Sequence, residues 1–216
     1  MKPAAVLDDN LLLCCVLFSP SDACELTVDT NTVSRSIKLS NNNSKMTLVT
    51  EEEQPYPDHP ERFESCKQLL CRNGLTGRCY WEVKWRGRVY ISVSYRGIRR
   101  RGNISDCVFG RNNQSWSLSC SDKVYTVSHN DKWTHLPSSS SVSHRVAVYV
   151  DCPAGFLSFY RVSDKLIHLH TFNTTFTEPL YPGFGFWSWS GSSVSLCSLK
   201  EESPVSTNTL SQVTQT

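Results

Sequence analysis

Two segments of this 216-residue chain gather side chains suited to strong contacts. Tyr95-Arg96-Gly97-Ile98-Arg99-Arg100-Arg101-Gly102 brings four arginines and two glycines together directly after an apolar alternation. A guanidinium is a planar fork of donors that pairs with carboxylates through two hydrogen bonds and stacks on rings, which is why arginine is enriched at interface hot spots. Later, Phe184-Gly185-Phe186-Trp187-Ser188-Trp189-Ser190-Gly191 sets Trp187 and Trp189 two residues apart, so in an extended segment both rings leave from one side. An exposed aromatic pair offers a partner a large apolar anchor. The plain alternatives are a solvated loop for the arginines and core packing for at least one tryptophan.

Other residue types could support catalysis or metal binding, but their patterns stop short of it. His168 and His170 share a strand face by spacing, as metal ligands do, yet no third ligand is apparent. Glu82 and Asp151 are carboxylates in strand contexts, and a glycosidase needs two such groups facing one cleft. No G-x-S-x-G, Walker or H-E-x-x-H string is present. The expectation is therefore a non-enzymatic protein with no catalytic residue, no metal and no cofactor. The 22 basic and 20 acidic residues give a net charge of +2, which provides no general attraction to nucleic acid or an anionic membrane. Ten cysteines are present without any C-x-x-C pair, so a zinc ribbon is disfavoured and reduced, buried thiols are expected rather than a disulfide framework.

The elements that must position these residues read as β. Val89, Ile91, Val93 and Tyr95 alternate with Tyr90, Ser92, Ser94 and Arg96, the pattern of a strand with one buried and one wet face. Trp81, Val83 and Trp85 alternate in the same way, as do Val146, Val148 and Val150, and Trp116 also lies in a strand pattern, so these tryptophans are assigned to the core. Asp151-Cys152-Pro153-Ala154-Gly155 supplies turn chemistry for a hairpin into residues 156–161, and a further strand over 166–172 makes a meander. A short helical turn fits only residues 60–70. Many short strands with one-sided hydrophobicity and no fixed repeat argue for two sheets burying their apolar faces on each other.

The ends differ from the middle. Residues 11–18 form an apolar run too short to span a bilayer, and Asp8 and Asp9 stand where a secretory signal carries positive charge. Residues 1–23 are read as an N-terminal extension, disordered or an artefact of the gene model, and residues 200–216, rich in Ser and Thr, as a disordered tail. The N-x-S/T sequons at Asn42, Asn103, Asn113 and Asn173 are read as chance matches, and the protein as cytoplasmic.

Several strings resemble the PRY-SPRY domain family, in the versions found in fish tripartite-motif-like and NLR-like proteins and at the C-terminus of stonefish-type toxins. They are Cys24-Glu25-Leu26-Thr27-Val28-Asp29, Tyr56-Pro57-Asp58-His59-Pro60-Glu61-Arg62-Phe63, Leu75-Thr76-Gly77-Arg78-Cys79-Tyr80-Trp81-Glu82-Val83, residues 110–118 and 150–160, and Pro179-Leu180-Tyr181-Pro182-Gly183-Phe184. Thr30 departs from the family's usual proline, which bears on local geometry there. The resemblance implies an all-β, two-layer antiparallel sandwich of the concanavalin-like jelly-roll type, with a small PRY subdomain at 24–75 and the SPRY part at 76–199. It also implies a monomeric module that binds a protein partner of unknown identity, with no nucleic acid and no membrane. Variable loops line the partner face in relatives, so the site is expected at Tyr95, Arg96, Arg99, Arg100, Arg101, Trp187 and Trp189. Such a domain ends tripartite-motif-like ubiquitin ligases and NLR-like innate immune proteins. The chain lacks the paired Cys/His ligands of a RING. A lectin-like carbohydrate-binding sandwich and a stonustoxin-like subunit are the alternatives.

Overall fold

A computed structural model describes residues 19–137, 143–187 and 190–198. The strands are β1 (Ile37–Ser40), β2 (Lys45–Leu48), β3 (Gln68–Leu70), β4 (Arg78–Arg86), β5 (Val89–Tyr95), β6 (Ser115–Cys120) and β7 (Tyr125–His129). They continue with β8 (Lys132–His135), β9 (Arg145–Asp151), β10 (Phe156–Val162), β11 (Leu166–Asn173), β12 (Leu180–Phe186) and β13 (Ser193–Leu196). A single-turn helix, α1 (Ile104–Cys107), lies between β5 and β6. One sheet has the order β1-β2-β13-β4-β9-β10-β11 and the other β3-β12-β5-β6-β7-β8. Neighbouring strands pair antiparallel throughout.

This is the two-layer sandwich expected from the alternation. Trp81, Val83 and Trp85 of β4 and Val146, Val148 and Val150 of β9 form the inner face of the first sheet, and Val89, Ile91, Val93, Trp116, Leu118 and Phe184 that of the second. Trp81, Trp85 and Trp116 are at most 3% exposed, so all three are core. Burial of such large apolar surface is the main force holding the layers together.

Four expectations need correction. Residues 60–70 hold a turn and β3 rather than a helix, because Leu69 and Leu70 are buried as strand residues against β12. Strand β5 has no wet face. All seven of its residues are buried, since the chain between β5 and β6 folds back over its polar side. A bulge between β10 and β11 pairs Tyr160 with His168 but Phe159 with His170, which skips Leu169. The two histidines therefore lie on opposite faces, His168 against Tyr160 and His170 against Phe172. Finally, Cys24 and Cys79 are joined, with Cα atoms 5.6 Å apart. The parallel bridge of Ala23 with Tyr80 brings them within reach, and the six other described cysteines are free.

Ahead of β1, residues 19–23 run beside β4, where Asp22 meets Arg78 at 3.6 Å. The missing proline at Thr30 is offset by Asp29, whose carboxylate accepts the Asn31 N–H at 3.1 Å and whose carbonyl accepts the Thr32 N–H at 2.9 Å. Residues 1–18 and 199–216, to which an extension and a tail were assigned, lie outside the described residues, whereas residues 19–23 of the extension are described.

Candidate functional site

The arginine segment begins where β5 ends, and most of it is tied to the chain ahead of β3. Arg96 donates to Asp29 Oδ2 at 2.7 Å, also pairs with Glu61, and stands over the Tyr181 ring at 5.4 Å. Arg100 is buried. Its guanidinium stacks on Phe63 at 4.6 Å and donates to the Glu61 carbonyl at 2.9 Å and to the carbonyls of Arg96 and Ile98. Arg101 reaches Glu64 at 2.5 Å while staying exposed. Only Arg99 points away, 71% exposed and 3.5 Å from Asp106. Tyr95 is core: its ring packs edge-on against Trp116 and its hydroxyl accepts the Thr177 N–H at 3.1 Å. Charge placed here serves mainly to clasp the chain ahead of β3 onto the end of β5.

Beyond the arginines the chain crosses the outer face of the six-stranded sheet. That face is built of small residues, Ser92, Ser94, Ser115 and Ser117 with Gly183 and Gly185, so another layer can lie flat on it. The Ser92 hydroxyl donates to Ser117 Oγ at 2.7 Å. Phe63, Leu70, Ile98 and Phe109 form a second small core on this side. Gly183 is required there: a Cβ would stand 2.6 Å from the Phe109 ring.

The covering layer ends short of Trp187, and two concavities open beside it. Register places Val89 opposite Phe186 and Tyr95 opposite Leu180, so Trp187 and the start of the arginine segment sit at opposite ends of β5, roughly 20 Å apart. Trp187 is 40% exposed and stacks on Tyr90 at 5.7 Å, and its N–H donates to the Arg88 carbonyl. On one side lies a slot of about 240 Å³ lined by Cys66, Tyr90, Ile104, Val108 and Phe186. On the other is a groove of about 740 Å³ bounded by Arg86, Arg88, Lys123, Trp133 and His135.

Two turns shape this end. Gly87, at φ +79°, makes the β4–β5 connection, and a Cβ there would collide with the Ser192 hydroxyl. Asn130 and Asp131, both at positive φ, make the two-residue β7–β8 hairpin, which sets Trp133 on the edge strand opposite Ser128. Arg111 then lies over the Trp133 ring at 4.5 Å and joins slot to groove.

Of the seven residues expected at the site, the structure brings only Trp187 to these concavities. Trp189 lies outside the described residues. Tyr90, Ile104, Arg111 and Trp133 went unrecognised. Ile104 is 63% exposed and Trp133 40%, and a tryptophan two residues beyond an Asn-Asp turn was a legible signal for the second. No group of three His, Cys, Asp or Glu side chains among the described residues could hold a metal ion. No helix among them is long and apolar enough to cross a membrane. Burial pushes the Cys66 thiol up to about 12, so it stays protonated at neutral pH.

Comparison with known proteins agrees with this architecture. Residues 78–198 match the SPRY domain and residues 26–75 the SPRY-associated PRY domain. The chain is 42% identical over 163 residues to stonustoxin subunit beta of Synanceia horrida, covering 74% of this chain and 23% of that protein. It is 37% identical over 165 residues to tripartite motif-containing protein 16 of Mus musculus, covering 75% and 29%. Among solved structures, it superposes on stonustoxin with a TM-score of 0.77 at 38% identity, covering 82% of this chain and 29% of that one. The TRIM65 PSpry domain gives 0.73 at 26% identity, covering 92% and 99%. The chain thus spans about a quarter of the length of the toxin subunits it matches. SPRY domains are protein-interaction modules and are not typically catalytic.

Proposed function

Since this chain belongs to the PRY-SPRY family, we propose that it is a protein-recognition module that takes its partner at the Trp187 end of the sandwich. The observation that carries this reading is Trp187 itself, a large ring left 40% exposed between two concavities, while all four arginine candidates face carboxylates of the chain's own. Aromatic anchors flanked by pockets are where interface energy concentrates.

In this reading the chain serves as the target-recognition domain of a tripartite-motif-like or NLR-like innate immune protein, acts as a monomeric module in the cytoplasm, and catalyses nothing. The test is quantitative capture of proteins from a cell lysate by the folded domain and by Trp187→Ala and Arg99→Ala variants of matched thermal stability. Trp187→Ala is expected to lose the captured protein and Arg99→Ala to keep it. Equal capture by all three would count against the surface.

A second reading, a recognition domain within a stonustoxin-like subunit, is favoured by the higher identity to the toxin subunits, 41% and 42% against 37%. Sequencing the full transcript separates the two, by the modules encoded with this domain.

A further inference from the structure

The whole chain is nearly balanced in charge, 22 basic residues to 20 acidic. The surface around Trp187 is not. Arg86, Arg88 and Lys123 line the groove and Lys67 and Arg111 the slot, against a single acidic lining residue, Asp122. Asp122 already faces His144 Nε2 at 3.2 Å. Arg111 has Asp131 at 3.9 Å, whereas no acidic side chain among the described residues pairs with Arg86, Lys67 or Lys123. At the opposite end of β5, by contrast, Asp29, Glu61 and Glu64 answer the arginines. Positive charge is thus compensated at one end, whereas Arg86, Lys67 and Lys123 at the other face no carboxylate among the described residues.

The two concavities also differ in kind. The slot, at about 240 Å³, falls below the roughly 300 Å³ where small-molecule sites begin, and its walls are mostly apolar: Tyr90, Ile104, Val108, Phe186 and Trp187. It has the scale of one large side chain. The groove, at about 740 Å³, is wide enough for a length of chain, and the basic residues stand along it.

We propose that the partner presents an acidic segment with a bulky apolar side chain: that side chain enters the slot beside Trp187, and carboxylates on the segment lie against Arg86, Arg88 and Lys123. This rests on the Trp187 end being the recognition surface. Complementary potentials set specificity and encounter rate, so the interaction is salt-sensitive in a way that an apolar dock alone is not.

The probe is a set of short fluorescent peptides in which glutamates surround a central leucine or phenylalanine, with Glu→Lys, Glu→Gln and central Ser controls, read by anisotropy on the full chain. The glutamate peptides with an apolar centre are expected to bind, and the controls to lose roughly tenfold or more. Arg86→Glu with Lys123→Glu, both exposed and outside the packing of the fold, should cost about tenfold. Raising salt from ~50 mM to ~500 mM should do the same, and Arg99→Glu nothing. Equal binding of acidic and basic peptides, absence of binding by the glutamate set, or indifference to the Arg86/Lys123 reversal would each overturn the proposal. If lysate capture still depends on Trp187 in those cases, the surface stands and only its acidic partner falls; if Trp187→Ala changes neither readout, both fall.

Discussion

Deleting the Arg100 side chain would leave the carbonyls of Ile98, Arg96 and Glu61 without their donor and remove the cation from the Phe63 ring, in a site only 9% exposed. Breaking such a buried cluster by removing one member costs about 3 kcal/mol. Arg100→Ala is therefore expected to lower the urea midpoint markedly, while Arg99→Ala, in solvent, changes stability by no more than about 0.5 kcal/mol. Equal effects in urea denaturation would contradict the assignment of Arg100 to the clasp. The arginine types were legible in the sequence, but their duties were not. Asp29 lies 67 residues from Arg96 along the chain, Glu61 39 from Arg100 and Glu64 37 from Arg101, and local spacing carries no information on pairs brought together only by the fold.

Among elements, β12 shows how one backbone position admits a covering layer. Gly183 faces the outer side, where Phe109 and Leu70 leave no room for a methyl group. Gly183→Ala should destabilise by about 1 to 3 kcal/mol through overpacking, and Phe109→Leu in the same chain should recover part of that loss. Thermal denaturation of the single and double variants measures it; additive losses would mean that Phe109 is not what the methyl meets. The alternation in β4, β5 and β9 was readable because a period of two reports an inner face directly. The burial of β5's polar side was not, since serines facing water and serines facing a second layer look alike in sequence.

The bulged edge strand β11 gives a pH prediction. Burial lowers the proton affinity of His168 and His170 in the fold relative to an unfolded value near 6.5. The unfolded chain then holds more protons, so the stability tied to these rings is present above about 6.5 and lost as pH falls below it. His168 is exposed, so its share is small. His168→Gln with His170→Gln should flatten the fall in melting temperature between pH ~7.5 and ~5.5. A slope identical to the parent's would show that other groups set it.

At the scale of the molecule, two sheets provide a frame, and turns at one end border the exposed Trp187. The frame was foreseeable from turn residues, alternating apolar positions and separated family strings. The surroundings of Trp187 were less legible: the sequence could not show that β5 separates this residue from the arginines, or that α1 and the β7–β8 hairpin bring Ile104 and Trp133 to the concavities beside it. The most direct test is hydrogen–deuterium exchange on the full chain, alone and bound to the protein it captures. Slowed exchange is predicted around Gly87, Val108, Lys123 and Trp187. Protection confined to the β1 or β11 edges, with the Trp187 segment unchanged, would contradict recognition at this end.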